Sequence, residues 1–308
     1  MDMHAIDLIA GGAADALLGG HPIAVQALPD RGGGMPTLEV SVADGMFMAK
    51  VATSGPDFER LEKERRLGEF MATLSVRTPR LQLIRAGSVM IGVYRKLEGQ
   101  EATAEFIKAH FSPAEMETFV SDMADLLARM HSVRLEQACH VLGIPPMSGT
   151  QAAARFPFGY DWLKQGPIEE MLASDLNKDA DLLSKWRETM GWFVSYENPP
   201  FDMVFGHGDL HGGNVLVSKQ QTGWKFSGIL DLQLGGIVNL YDEFLRIILL
   251  DERETGPRII RTYNHMMADK RRVDPEALRH ACRAFAFYLA HEQSGEARAK
   301  LLRLAKGI

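Results

Sequence analysis

Residues 207–217 read HGDLHGGNVLV, and their polar positions carry the first chemical information in the chain. Asp209 and Asn214 stand five positions apart in a glycine-rich loop that runs into an apolar stretch. VLV (215–217) and WKFSGIL (224–230) read as two strands separated by SKQQTG, a hairpin signal. Asn214 precedes the first strand and Asp231 follows the second, so antiparallel pairing is expected to bring them to one end, beside Asp209. Two carboxylates and an amide oxygen are hard donors. That set suits Mg2+, which is held by one or two protein oxygens together with waters and substrate phosphates.

Magnesium held in this way calls for a phosphate grip elsewhere in the chain. Lys50 closes the apolar run MFMAK, and strand alternation places it on the face of Met46 and Met48, where it needs a partner. The helical segment that follows offers Glu59, Glu62, Glu64 and Glu69. With a buried face expected at Leu67, Phe70, Met71 and Leu74, only Glu64 lies beside that face, and it is taken as the acid that orients Lys50. Gly32, Gly33 and Gly34, in the RGGGMP turn between two strand candidates, could cover phosphates with backbone N–H groups.

The elements that must position these residues fall into two groups. Strands are expected at 23–28, 37–42, 46–52, 80–84 and 89–94, with a helix from about Pro56 to Leu74. Beyond Gly99 the pattern turns helical, notably at 113–131, 167–194 and 275–290, with the remaining strand signals in 203–232. The expected class is α+β. A small β-rich lobe, 1–97, carries one helix, and a larger, mostly helical lobe spans 98–308.

The order of parts is a Gly-rich hairpin, a strand lysine, a helix glutamate, H-G-D-x-x-x-x-N, and an aspartate after a strand. It resembles the protein-kinase-like fold, and within it the aminoglycoside phosphotransferase and choline kinase family, over roughly residues 23 to 250. LLARMHSV (126–133) is similar to that branch's helix ending in Leu-His. The resemblance implies a two-lobed enzyme with an antiparallel N-terminal sheet, transferring phosphate from ATP or GTP to a small-molecule hydroxyl. Asp209 would be the base that accepts or orients the hydroxyl proton, and Asn214 and Asp231 would bind Mg2+. Lys50, held by Glu64, would contact the α- and β-phosphates, and His207 would brace the loop. Asn239 and Glu243 stand where the family commonly places acids or, more narrowly, Asp, with Asp242 one position from the expected site.

Two other classes compete. His207, Asp209 and His211 could ligate zinc or manganese in a hydrolase, although that leaves Lys50 and Asp231 without a role. A kinase-like nucleotide-binding protein without turnover would keep the same fold. Bulk properties narrow the field further. The 308 residues carry a formal charge of -6, which gives no nucleic-acid footprint. No apolar run reaches membrane-spanning length. The start of the chain reads as an amphipathic helix rather than a secretory signal. Cys139 and Cys282, two isolated cysteines, suit a reducing cytoplasm. His131 and His140 read as structural or surface residues. Acidic residues outnumber arginines in 240–256, which is suggestive of a cationic acceptor but is also the ordinary composition of a solvated face.

Overall fold

The computed structural model describes residues 24–28, 35–155, 167–195, 203–250, 255–267 and 272–307. The expected opening helix and Gly32, Gly33 and Gly34 lie outside the described residues. The chain divides into two compact units. The first comprises the chain up to Glu101 with Val141–Gly143 and Asn214–Gly235; the second comprises Ala102–His140, Ile144–Gly213 and Gly236–Ile308. Beside the linear boundary expected at 97/98, the first unit therefore also takes in the downstream hairpin.

The first unit is built on an antiparallel sheet of β1 (Ala24–Ala27), β2 (Thr37–Val42), β3 (Gly45–Ala52), β4 (Gln82–Ala86) and β5 (Val89–Arg95), in the order β1-β2-β3-β5-β4. Period-two alternation sorts the side chains. Leu38, Val40 and Val42 of β2 join Ala49, Val51, Val89, Ile91 and Val93 in one apolar cluster. Lys50 alternates with Ala49 and Val51 and so points away from that cluster, sharing its face with the buried Met48. It pairs across the ladder with Gly92. A Cβ at Gly92 would lie 2.9 Å from Leu81, so glycine keeps the sheet close to what packs on it.

Helix α1 (Gly55–Thr73) begins where Ser54 accepts a hydrogen bond from the Asp57 N–H and Pro56 occupies the first turn. Its buried residues are Leu61, Glu64, Leu67, Gly68 and Met71. The stripe is rotated from the expected Leu67–Phe70–Met71–Leu74 face, because Phe70 and Leu74 are only half-buried. Gly68 shows why: a Cβ there would meet the Pro79 carbonyl oxygen at 2.6 Å, so the helix presses this side onto the chain ahead of β4. Glu64 consequently sits inside the buried stripe rather than beside it. Leu61 packs with Met35, Ala52 and Leu81 in a second apolar cluster.

The first unit is completed by β6 (Gln100–Glu101), β8 (Val215–Gln220) and β9 (Gly223–Ile229), an antiparallel three-stranded sheet in that order. The strands run further than the apolar stretches alone indicated. Most of SKQQTG is paired, leaving Gln221 and Thr222 at the turn.

The second unit contains α2 (Ala104–His110), α3 (Pro113–His131), α4 (Leu135–Leu142, whose last turn passes into the first unit), α5 (Gly149–Arg155), α6 (Pro167–Leu176) and α7 (Ala180–Ser195). After the hairpin follow α8 (Leu240–Leu250), α9 (Thr255–Met267), α10 (Pro275–Glu292) and α11 (Gly295–Gly307). A short antiparallel pair, β7 (Met203–Gly206) and β10 (Gly236–Asn239), stands among them. α3 opens with a capping box between Ser112 and Glu115. Its last residue, His131, is fully buried and lies 3.0 Å from the Tyr263 hydroxyl of α9, a structural role, while His140 is exposed. No helix among the described residues is long and apolar enough to cross a membrane.

Candidate active site

In the first unit, β3, α1 and the end of β9 bring three charged side chains together. Lys50 Nζ lies 2.7 Å from Glu64 Oε1 and 2.9 Å from Oε2. It also lies 3.4 Å from Asp231 Oδ1. Lys50 and Glu64 are buried, at 7% and 1% exposure, whereas the Asp231 side chain is 44% exposed. Burial alone would lower the Lys50 ammonium. The charges of Glu64, Tyr94 and Asp231 outweigh it and hold Lys50 above its ordinary value, so it stays a cation.

The hairpin register pairs Val215 with Ile229, and the Leu230 N–H donates to the Asn214 carbonyl at 2.8 Å. Asn214 and Asp231 therefore stand at one end of β8 and β9. Asp231 has φ 56, a left-handed conformation that aspartate tolerates better than bulkier residues. The following turn is fastened to α1 through Lys63 Nζ and the Gln233 carbonyl, 3.0 Å apart. The exposed Asp231 carboxylate and the amide of Asn214, at the same end of the hairpin, are donor types that suit Mg2+.

In the second unit, β7 ends at Gly206 and delivers His207–Gly213 as a loop. His207 is fully buried, and its Nδ1 accepts the Asp209 N–H at 3.2 Å. His211 Nδ1 accepts the Gly213 N–H at 3.1 Å. Both imidazoles thus bond to the loop's own backbone. Among the described residues no group of three or more His, Cys, Asp or Glu side chains is arranged to hold a metal, so the His207–Asp209–His211 hydrolase reading has no geometric support. Gly208 has φ 76, which glycine adopts at no steric cost.

Two residues on α8 bear on this loop, and the sequence motif named neither as a partner of it. The Glu243 carboxylate, fully buried, accepts the Gly208 N–H through Oε1. Its Oε2 is buried with no hydrogen-bond partner among the described residues. Burial is the main cause that pushes Glu243 up to about 7, against the opposing backbone bonds from Gly208 and His207. One turn further along α8, Arg246 Nη1 lies 2.8 Å from Asp209 Oδ1. Asn239 has a different task, accepting the Tyr241 N–H at 2.9 Å where β10 passes into α8. The position that departs from the expected aspartate thus reaches the loop backbone with a longer acid. A Cβ at Gly206 would stand 2.6 Å from Glu243 Oε1, so the small residue makes room for it.

The model of the phosphotransferase enzyme family (APH) matches residues 29–281. The chain belongs to that family. This membership makes it a small-molecule kinase, and the matched span contains Lys50, Glu64, Asp209, Asn214 and Asp231. Solved structures of kinase-like fold resemble the whole chain. The GDP complex of wild-type aminoglycoside 2'-phosphotransferase-IIIa has a TM-score of 0.70 at 15% identity, covering 98% of both chains. Macrolide 2'-phosphotransferase MphH from Brachybacterium faecium, as apoenzyme, has a TM-score of 0.62 at 17% identity, covering 96% of this chain and 97% of its own. The streptomycin-ATP-APH(2")-IIa ternary complex has a TM-score of 0.62 at 14% identity, covering 98% and 96%. At these identities the likeness is one of fold. No curated protein matches the chain in sequence.

Proposed function

We propose that the protein is a magnesium-dependent phosphotransferase that moves the γ-phosphoryl group of ATP or GTP to a hydroxyl of a small molecule. The observation that carries this reading is the Lys50–Glu64–Asp231 cluster, a buried ammonium clamped by one buried carboxylate and approached by an exposed one. Such an ammonium is a fixed positive charge for phosphate oxygens, and Glu64 sets its position. Asp231 and Asn214 would hold Mg2+. When bound, the metal supplies neutralisation of phosphate charge. The first unit then serves as the nucleotide-binding lobe, and the second as the catalytic and substrate-binding lobe.

Asp209 is the proposed base. In the transfer, the acceptor oxygen forms a bond to the γ-phosphorus as the bond from that phosphorus to the β–γ bridging oxygen breaks. The hydroxyl proton passes to the Asp209 carboxylate, and the nucleoside diphosphate leaves. His207 and Glu243 hold the loop backbone and so keep Asp209 in place, which is what an electrostatic and positional mechanism requires. The solved relatives with GDP, ATP and aminoglycosides support nucleotide use and a small-molecule acceptor.

The test is transfer from γ-labelled ATP or GTP, with Mg2+, to a panel of hydroxyl compounds that includes aminoglycosides, macrolides and choline. Asp209→Asn is expected to lower transfer by about 10²-fold or more, as loss of a general base does, while Mg–nucleotide binding persists. Full transfer by that variant would remove Asp209 from the role.

A further inference from the structure

We infer that Arg246 makes the acceptor side of Asp209 selective for hydroxyl compounds that carry an anionic group, and selective against polycations. The inference rests on the proposed role of Asp209 as the residue that receives the acceptor hydroxyl. Arg246 Nη1 stands 2.8 Å from Asp209 Oδ1; that oxygen is buried, and the Arg246 side chain, 31% exposed, is the member of the pair that meets solvent. The guanidinium is fixed from a second direction, its Cζ lying 5.5 Å from the centre of the Phe285 ring of α10.

The charge arithmetic at this point is local. A hydroxyl within hydrogen-bond reach of Asp209 lies within about 8 Å of the guanidinium, comparable with the screening length of physiological salt. A polyamine arriving there meets a carboxylate whose charge is already matched by arginine. An acceptor bearing a carboxylate or phosphate meets a planar fork of donors suited to bidentate binding. Both acids of α8 are held toward their neutral forms: Glu243 is fully buried and turned to the Gly208 N–H, and burial, with the charge of Glu243 beside it, pushes Asp242 up to about 7. Each unit of ligand charge at such a distance changes affinity by about tenfold.

The test is calorimetric binding of kanamycin, as polycation, and of D-glycerate, as anionic hydroxyl compound. It is made on the wild type, Arg246→Gln and Arg246→Lys, each saturated with a non-hydrolysable ATP analogue and Mg2+. The wild type is expected to bind glycerate at least tenfold tighter than kanamycin. Arg246→Gln should lose at least tenfold for glycerate and gain at least tenfold for kanamycin, and Arg246→Lys should keep the rejection of kanamycin. A wild-type preference for kanamycin, or affinities of both probes that are equal or undetectable in wild type and Arg246→Gln alike, overturns the inference. Binding of the ATP analogue, read in the same samples, separates the two levels. Its absence sinks the phosphotransferase reading, whereas its presence with unmoved probe affinities sinks only the role of Arg246.

Discussion

The Glu243 carboxylate accepts the backbone N–H of Gly208, 35 positions earlier in the chain, and so ties α8 to the loop that carries Asp209. The bond joins a fully buried acid to the one stretch where backbone position matters most for the proposed chemistry. Glu243→Ala would leave that N–H unsatisfied, at a cost of about 1–3 kcal/mol. We predict a loss of that size in urea unfolding, together with a fall in transfer rate, while Glu243→Gln, which keeps the carbonyl acceptor, retains most of both. An alanine variant as stable and active as the wild type would show that the tie is incidental.

The same residue sets a pH dependence. Glu243 is raised from 4.5 to about 7, mainly by burial, so the folded protein favours its neutral acid. The stability this group contributes is complete below its unfolded value near 4.5 and is lost as the pH rises through about 7, a change of roughly 3 kcal/mol at most. Unfolding free energies of the wild type and Glu243→Gln, measured from pH 5 to pH 8, should diverge in that window, with the wild type losing ground as the pH rises. Parallel curves would contradict the assignment.

Lys50 and Glu64 form a buried pair at 2.7 Å, and breaking it on one side leaves a charge without compensation. Lys50→Met is expected to destabilise the protein by about 3–5 kcal/mol, as loss of one partner of a buried pair does. Adding Glu64→Leu should restore much of that stability without restoring nucleotide affinity. A double variant that stays as unstable as the single one would mean that Lys50 packs rather than pairs.

Much of this was legible in the sequence, for identifiable physical reasons. Strand alternation put Lys50 on the face where it is found, and the spacing of apolar runs fixed the hairpin that sets Asn214 and Asp231 at one end. Helical spacing located Pro113–His131, while the full burial of its terminal histidine, read as structural or surface, came from the structure. The stripe of α1 differs from the expected face because it is set by close approach at Gly68, which packs on Pro79 in the segment after the helix, a contact that helical periodicity does not register. Glu243 and Arg246 could not be assigned to the loop from periodicity, since a helix of mostly apolar residues gives no sign of which polar members face inward. One signal was available: an acid displaced from its usual type near Tyr241, on a helix that follows directly from the strand paired to β7.

The central claim is tested most directly by titrating the wild type and Asp231→Ala with ATP and with GTP, each with and without Mg2+, in a calorimeter. We predict that at least one nucleotide binds the wild type in a magnesium-dependent manner and that Asp231→Ala weakens this binding by tenfold or more. Failure of both nucleotides to bind, or binding indifferent to Mg2+ and to Asp231, would contradict it.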